Sequence, residues 1–451
     1  MRPNIVLYFS DQQRADTIGL YGQKLNVTPN LDKLGRNGIV FSNAFSAQPV
    51  CGPCRAMFQT GRYPSEIGCF TNCIALPRNI KTLAQYYTEN GYDVAYVGKW
   101  HLASDGELEK PPRINYIENP IPLESRGGYS GFWRVSDVLE FTSHGYGGYV
   151  FDEHMNRIDF DGYRCDCITD FGLEYLEQAP EDKPFFLTIS HIESHHQNDH
   201  GHYEGPVGSA EKYRNCEIPA DLMALEGGDY REEYPDYLGQ CESLDYNLGR
   251  VIEKLKEKGL YENTVIVYVS DHGSHFRTRN RDENFCGYDD YKRSGHDASL
   301  KVPLVIGGGA IKKRRRVKEL VSTASLPKTL LALAGINVGK KMIGENLLEV
   351  ADGKLPERKN QVFAQISESR VGRVLRTEEY LYAVVAKGIW GGAQPDAEEY
   401  VPDYLYDLRK DPLQLLDVKN EPEYAQIIKR LSAELEEEIF QAERKHSRIV
   451  V

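Results

Sequence analysis

The sequence has little of what a membrane protein, a nucleic-acid-binding protein or a disulfide-stapled protein needs. No apolar run approaches the roughly 20 residues of a membrane-spanning helix. Acidic residues outnumber basic ones by 67 to 54, and the resulting net charge of -13 argues against nucleic acid as the main partner. The nine cysteines are an odd number spread thinly over 451 residues, which favours a reducing compartment over a disulfide framework.

The start of the chain also lacks a charged segment followed by a long apolar stretch and a small-residue cleavage site. We therefore expect a cytoplasmic protein, or an exported one whose leader has been removed. Internal repeats and low-complexity tracts are absent as well. Hydrophobic residues make up 41% of the chain, enough for a large core with a smaller unit appended.

Short apolar runs alternate with helical patterns, which predicts an α/β domain over residues 1–355, with a large, mostly parallel sheet flanked by helices. From about Gln361 shorter alternating strands precede an amphipathic helix from about Glu423 to Glu443, so residues 356–451 are expected to form a small antiparallel subdomain. The predicted strands of the large sheet are Asn4–Ser10, Tyr92–Gly98, Pro184–Ser190, Thr264–Ser270 and Val302–Gly307.

Polar side chains follow these predicted strands at their carboxyl ends, where open parallel sheets bind ligands. Asp11 and Gln12 follow the first strand, and Asp271 and His272 follow the fourth. Mainly oxygen ligands with one nitrogen suit Ca²⁺, with Mg²⁺ or Mn²⁺ as alternatives. Any one of these residues could instead cap a helix or form a turn, but four at strand ends favour a metal site.

The segment from Cys51 to Cys54 reads CGPC, the sequence of the thioredoxin redox centre. A thiol redox protein needs both cysteines at a helix start with a lowered thiol pKa, and this segment is compatible with that. Redox chemistry does not call for Asp11, Lys99 or Asp271 at strand ends, however. This alternative is therefore less favoured, and a metal-binding protein without catalysis is favoured only if Cys51 is never oxidised.

The run from Cys51 to Arg55, with the following Thr60-Gly61-Arg62, resembles the C-x-P-x-R signature of type I, formylglycine-dependent sulfatases. Further segments match that family in order between residues 3 and 415. They are Asp11-Gln12, Thr28-Pro29-Asn30-Leu31-Asp32, Gly98-Lys99-Trp100-His101, Ser270-Asp271-His272-Gly273, Val302-Pro303-Leu304 and Leu405-Tyr406-Asp407-Leu408. The resemblance implies an alkaline-phosphatase-like fold and hydrolysis of a sulfate monoester.

The resemblance also implies that a maturation enzyme oxidises Cys51 to formylglycine. One hydroxyl of the hydrated aldehyde attacks sulfur, and the other later expels sulfate as the aldehyde re-forms. Arg55 is expected to hold the hydrate and the helix start, Lys99 to contact sulfate, and His101 to orient or deprotonate the hydrate. The metal ligands implied by the family are again Asp11, Gln12, Asp271 and His272.

Two further site residues are expected from the family pattern. Counting back from Pro303 places a second sulfate-binding lysine at Lys292, although Arg293 and Lys301 lie nearby. His195 matches the histidine that protonates the leaving oxygen. The chain departs from the pattern by having Ser194 where proline is usual, and His191 and His196 remain alternatives for the general acid.

Gln12 and His272 also resemble phosphonate monoester and phosphodiester hydrolases of the same fold, which form the alternative function. Lys99 and His101 resemble sulfatases instead, so a sulfatase is favoured. A sulfated carbohydrate is the expected substrate class. The segments 126–134 and 144–149 combine aromatic residues, glycine and arginine, and either stack on sugar rings or simply pack onto the sheet.

Overall fold

The computed structural model describes residues 2–72, 74–105, 115–280 and 290–451. Cys73, Cys286 and residues 106–114 lie outside the described residues. Among the described residues, no helix combines the length and apolarity required to cross a bilayer.

A large mixed sheet forms the centre of the fold and confirms the predicted α/β architecture. Within the described ranges it has eleven strands, in the order β11-β2-β10-β8-β1-β7-β3-β4-β5-β6, and β9 pairs with β2 off this path. The strands are β1 (Asn4–Ser10), β2 (Ile39–Phe45), β3 (Asp93–Lys99), β4 (Trp133–Ser136), β5 (Tyr146–Asp152), β6 (Arg157–Tyr163), β7 (Phe185–Ser190), β8 (Thr264–Ser270), β9 (Lys301–Val302), β10 (Leu304–Gly307) and β11 (Arg315–Ser322).

The four strands β8, β1, β7 and β3 are parallel, and their register aligns their carboxyl ends. Ser10 at the end of β1 lies opposite Ser270 of β8. Ser190 of β7 pairs with Phe9 on one side and with Gly98 of β3 on the other. The polar residues that follow these strands therefore meet at one edge of the sheet, as the sequence predicted.

The sequence predicted one strand from Val302 to Gly307, but the structure has two short strands there. The segment divides at Pro303 into β9 and β10, because proline has no N–H to donate to a ladder, and β10 runs antiparallel to β8 and β2. The stretch 103–165 lacks a clear periodicity in the sequence, but its described part contains β4 and the hairpin β5–β6. Adjacent Gly147 and Gly148 obscure the strand pattern of β5.

Helices cover both faces of the sheet. Leu244 and Leu248 of α8 pack on one face, and Met57 of α2 and Leu83 of α4 pack on the other. The α-helices are α1 (Pro29–Arg36), α2 (Cys51–Thr60), α3 (Pro64–Ile67), α4 (Leu83–Glu89), α5 (Arg164–Glu177), α6 (Ser209–Tyr213), α7 (Ala220–Met223), α8 (Tyr230–Glu257), α9 (Asp297–Leu300), α10 (Leu326–Leu333), α11 (Leu347–Ala351) and α12 (Ala425–Glu443).

A second, five-stranded sheet follows near the C-terminus, with α12 packed against it through Leu431 and Leu435. Its edge strand β16 is parallel to β15, while the other pairs are antiparallel as predicted. Arg376 of this sheet pairs with Asp297 of the larger part, which joins the two sheets. The strands are β12 (Gln361–Ile366), β13 (Gly372–Thr377), β14 (Tyr380–Val385), β15 (Glu399–Asp407) and β16 (Arg448–Ile449).

Candidate active site

Helix α2 begins at Cys51 and places that residue at the sheet edge. Val50 before it is extended, and the backbone N–H of Gly52 donates to Oδ1 of Asn72 at 2.9 Å. This bond satisfies one of the N–H groups that a helix start leaves without an intrahelical partner. All ten residues of α2 are buried, and Gly61 ends the helix with a φ of 63°.

The Cys51 thiol lies among residues from three other segments. Its sulfur is 3.4 Å from Oδ1 of Asp11, 3.3 Å from Nε2 of His272 and 3.3 Å from Nζ of Lys292. Only 1% of Cys51 is exposed. The predicted nucleophile therefore lies directly between the proposed metal ligands and a cationic side chain.

Two buried carboxylates lie beside Cys51. Oδ2 of Asp11 accepts from Lys99 at 2.8 Å and from Arg55 at 3.0 Å. Oδ1 of Asp271 accepts from the backbone N–H groups of Gln12 at 3.0 Å and of His272 at 2.9 Å. The other oxygen, Oδ2 of Asp271, has no hydrogen bond among the described residues, which is unusual for a buried carboxylate, and Nε of Arg55 lies 3.8 Å from it as an ion-pair partner.

The donor atoms of this cluster suit a divalent cation. Asp11, Cys51, Asp271 and His272 each offer one ligand atom, and these atoms lie within 4.8 Å of one another. Burial and the charge of Asp11 raise the pKa of Asp271. A bound cation would offset both effects, so the oxygen without a hydrogen bond and the raised pKa support a metal at this place.

The electrostatics of Asp11 are opposite to those of Asp271. Burial alone would raise the pKa of Asp11, but the nearby cations Lys99 and Arg55, together with His195, lower it well below its usual range. Asp11 is thus an anion at neutral pH. Burial and Lys292 lower the pKa of His272, which leaves this imidazole neutral and able to act as a ligand.

Lys292 connects the nucleophile with His195. Its Nζ is 2.6 Å from Nε2 of His195 and 3.2 Å from Oε1 of Gln12. The amide nitrogen of Gln12 donates to the hydroxyl of Tyr203 at 2.7 Å. Nine of the ten predicted site residues are joined in one network of contacts. They are Asp11, Gln12, Cys51, Arg55, Lys99, His195, Asp271, His272 and Lys292.

His101 lies beside the network. A turn at the end of β3 brings it there, since Gly98 has a φ of 95° and His101 a φ of 60°. A Cβ at Gly98 would meet the backbone oxygen of Ser190 at 1.9 Å, so only glycine fits. Burial, followed by the charges of Lys99 and Arg55, lowers the pKa of His101 well below its usual value.

The three histidines after β7 differ in position. His195 contacts Lys292, whereas His191 points toward Cys165 and Thr169, with its ring nitrogens 3.6 and 3.5 Å from their side chains. The ring of His196 packs on Tyr291 with 4.4 Å between centroids. Of the three candidates for the general acid, His195 is the one for which the described residues show a contact with the Cys51 cluster.

Sequence reasoning missed the residues that hold this cluster in place. Arg164, the first residue of α5, donates to Glu193 at 2.8 Å and to Gln197 at 3.0 Å, on either side of His195. Its side chain is 1% exposed. No local motif marks Arg164 or Asn72, because their partners are distant in sequence.

Of the two alternatives for segment 126–134, the structure supports packing onto the sheet. Tyr129 and Trp133 are completely buried and pack with Tyr96 and Trp100 in the core. Their large apolar area is used to join the loop to the sheet. In segment 144–149, by contrast, Tyr146 is 51% exposed.

The structure does not fit a CGPC redox centre. Cys51 and Cys54 are both free, and the Cys54 thiol donates to the backbone carbonyl of Asp271 at 3.3 Å. Burial and then Asp11 raise the pKa of Cys51 to about 12, although Lys292 and Lys99 act in the opposite direction. A redox-active thiol needs a lowered pKa and access to its partner.

Comparison with known proteins points to one family. A family model described as Sulfatase matches residues 3–336, and one described as N-sulphoglucosamine sulphohydrolase, C-terminal, matches residues 285–441. The chain is 29% identical to an ulvan-active sulfatase of Formosa agariphila, over 97% of this chain and 81% of that protein. It is 24% identical to an N-acetylglucosamine-6-O-sulfatase of Bacteroides thetaiotaomicron, over 97% of this chain and 86% of that one.

A solved structure supports the fold assignment. The crystal structure of yidJ from Bacteroides fragilis superposes with a TM-score of 0.80 at 24% identity, covering 98% of this chain and 96% of that one. The likeness spans both sheets, because almost the whole chain is covered.

Proposed function

Because the chain belongs to the sulfatase family, we propose that this sulfatase hydrolyses sulfate monoesters of carbohydrates through a formylglycine made from Cys51. Sulfatases use such a residue together with a divalent metal. The observation that carries the proposal is the position of the Cys51 sulfur, 3.3 to 3.4 Å from Asp11, His272 and Lys292. In the mature enzyme an oxygen of the hydrated aldehyde would occupy the place of this sulfur.

We assign the metal site to Asp11, Gln12, Asp271 and His272, and the metal to Ca²⁺. Two carboxylates and an amide oxygen are ligands that a hard cation prefers, and Oδ2 of Asp271 is buried without a hydrogen bond among the described residues. When bound, the metal would supply positive charge that stabilises the anionic sulfate and lowers the pKa of the attacking hydroxyl.

The remaining side chains supply charge and protons. Lys99 and Lys292 neutralise sulfate oxygens, and Arg55 holds the start of α2 against Asp11. One hydroxyl of the aldehyde hydrate loses its proton to solvent and attacks sulfur as the oxyanion. The sulfur–oxygen bond to the alcohol breaks, and His195, protonated at Nε2 once the anionic substrate is bound, donates that proton to the alcohol oxygen. His101 then accepts a proton from the second hydroxyl, the aldehyde re-forms, and sulfate leaves.

A sulfated carbohydrate is the substrate class that we propose. The relative from Bacteroides thetaiotaomicron is named for a sulfated amino sugar, and it aligns with 97% of this chain. A maturation enzyme that reads C-x-P-x-R is the second partner of the proposal, since Cys51, Pro53 and Arg55 are all present.

Paired aryl esters test this proposal against the phosphonate hydrolase alternative. Protein produced together with a formylglycine-generating enzyme should hydrolyse 4-nitrophenyl sulfate faster than the matching phenylphosphonate ester. The basis is that Lys99 and His101 match the sulfatase pattern, whereas the phosphonate hydrolases have uncharged hydroxyl residues at these positions. A clear preference for the phosphonate ester would contradict the proposal, and a Cys51→Ala variant controls for contaminating esterases.

A further inference from the structure

A cluster of histidines and carboxylates lies at the protein surface, outside the site around Cys51. We call it the His200 cluster, and its members are His144, Asp199, His200, His202 and Glu204. A ligand atom of His200 lies within 4.8 Å of ligand atoms of both His144 and Asp199. A ligand atom of His200 also lies within 4.8 Å of ligand atoms of both His202 and Glu204. His200 therefore belongs to two overlapping sets of side chains that can hold a metal ion.

Each histidine of the cluster has one ring nitrogen held by a hydrogen-bond acceptor. Nε2 of His144 donates to Oδ2 of Asp199 at 2.9 Å, and Nδ1 of His200 donates to Oε1 of Glu204. Nδ1 of His202 donates to the backbone carbonyl of the next residue at 3.1 Å. In a neutral imidazole the opposite nitrogen then carries a lone pair. Histidines that bind metals are oriented in this way, with the other ring N–H on a carboxylate or a carbonyl.

The two carboxylates of the cluster are themselves held in place. Oδ1 of Asp199 accepts from the side-chain amide of Gln197 at 2.7 Å, and Oε2 of Glu204 accepts from the backbone N–H of Gly145. A backbone bridge between Gln197 and His202 closes the loop between them. The His200 cluster thus joins two segments that are distant in sequence, and hydrogen bonds fix both of its carboxylates.

The donor atoms suit a transition metal better than calcium. Imidazole nitrogens are ligands that Zn²⁺ and Ni²⁺ prefer, whereas Ca²⁺ takes oxygen ligands. The side chains of His144 and His200 are 44% and 43% exposed, so their parallel rings, with 4.0 Å between centroids, can tilt toward an ion and leave a position for water. The hydrogen bond to Glu204 raises the pKa of His200, because negative charge at this place favours a cation.

We propose that the His200 cluster binds one divalent transition metal ion of the Zn²⁺ class through the free ring nitrogens of His144, His200 and His202. Asp199 and Glu204 orient two of these rings from behind. The cluster shares no residue with the site around Cys51, so this inference goes beyond the proposed function and does not depend on it.

The proposed ion would lie on the segment that follows the general acid. Residues 197–204 begin two positions after His195 and include Tyr203, whose hydroxyl accepts from the side-chain amide of Gln12 at 2.7 Å. His144 belongs to a different segment, two residues before β5. An ion at the cluster would fasten these two segments together, and we therefore expect it to stabilise the folded protein.

Zinc binding can be measured with the thiol at position 51 removed. In the Cys51→Ala protein with excess Ca²⁺, calorimetry with ZnCl₂ should show one site with a Kd in the micromolar range. Adding His200→Ala should abolish this site, and adding His144→Ala or His202→Ala should weaken it at least tenfold. His154→Ala is the matched control, because His154 is 77% exposed and lies outside the cluster. This control should leave the affinity for Zn²⁺ unchanged.

Thermal unfolding gives a second readout that does not depend on activity. Zn²⁺ at a hundred times its Kd should raise the melting temperature of the Cys51→Ala protein by about 3 °C, and should not raise it once His200→Ala is added. Asp199→Asn keeps the shape of the side chain but removes the charge behind His144, and should weaken Zn²⁺ binding about tenfold. The inference is wrong if no Zn²⁺ binds in the micromolar range, or if the His200→Ala and His154→Ala variants bind it equally well.

Discussion

Lys292 donates a hydrogen bond to His195, with 2.6 Å between Nζ and Nε2. An ammonium has no lone pair, so the histidine must accept at Nε2, and its proton therefore lies on Nδ1, 2.5 Å from the backbone oxygen of His196. Burial and the charge of Lys292 lower the pKa of His195, which is neutral at rest. Nε2 therefore carries no proton in this state. The negative charge of a bound sulfate ester would raise the pKa of His195, and Nε2 would then take up the proton that it gives to the leaving oxygen.

From this pair we predict that Lys292→Met lowers kcat on 4-nitrophenyl sulfate by two to three orders of magnitude, roughly the loss seen when a charge-stabilising donor is removed. Lys301→Met is the matched control, since Lys301 lies in β9 and has no described contact with Cys51. Steady-state rates of both purified variants decide the matter. A severe loss in the Lys301 variant with a mild one in the Lys292 variant would reverse the assignment.

Cys51 and Cys54 should respond differently to substitution. Cys51→Ala should abolish turnover, because no aldehyde can form. Cys54→Ser should retain most of it, because a hydroxyl can still donate to the carbonyl of Asp271 that now accepts from the thiol at 3.3 Å. Mass spectrometry of the peptide from residue 37 to 55 should show a lighter residue 51 in active protein. An active preparation in which Cys51 is wholly unmodified would refute the mechanism.

Metal binding should depend on Asp271. Asp271→Asn removes one of two buried carboxylates, and we expect the affinity for Ca²⁺ to fall at least tenfold, since ligand charge sets calcium affinity. Asp352→Asn, a change of a carboxylate in surface ion pairs, is the control. Calorimetry on chelator-treated protein measures the Ca²⁺ affinity and stoichiometry of both variants. Unchanged stoichiometry and affinity in Asp271→Asn would exclude this residue as a ligand.

Arg164 should act as a positioning residue for the segment that carries His195. Arg164→Met leaves Glu193 buried without its partner, and we expect a loss of about 3 to 5 kcal/mol in the free energy of unfolding. The double variant Arg164→Met with Glu193→Gln should recover part of the lost free energy of unfolding. In the variants that fold, kcat should fall more than KM rises. Additive losses in the double variant would show that the pair is not coupled.

The sequence predicted which residues lie together at the sheet edge better than it predicted the edges of the fold. Asp11, Asp271 and Lys99 follow buried parallel strands, whose continuous apolar runs are a strong signal and whose register is fixed by burial on both faces. The strands β2 and β11 were not predicted. β11 is an edge strand with Arg315 and Arg316 exposed, so its pattern resembles a solvated loop.

The residues that hold the site in place, Asn72 and Arg164, could not be predicted for a different reason. Asn72 reaches Gly52 across 20 positions, and Arg164 reaches Glu193 across 29, so neither pair belongs to one local motif. For the aromatic segment 126–134 the sequence left two alternatives open, because a buried aromatic cluster and a sugar platform have the same composition. Only packing distinguishes Tyr129 in the core from Trp390 at the surface.

The burial of Cys51 has a consequence for how the enzyme is made. A side chain that is 1% exposed on the first turn of a fully buried helix cannot enter the catalytic cleft of another enzyme. Under the proposed mechanism, oxidation of Cys51 would then precede folding, and the two processes would compete for each newly synthesised chain. A chain that folds first would keep an unmodified Cys51 and would be inactive. The specific activity of a preparation would therefore measure the fraction of molecules in which Cys51 was oxidised before the chain folded.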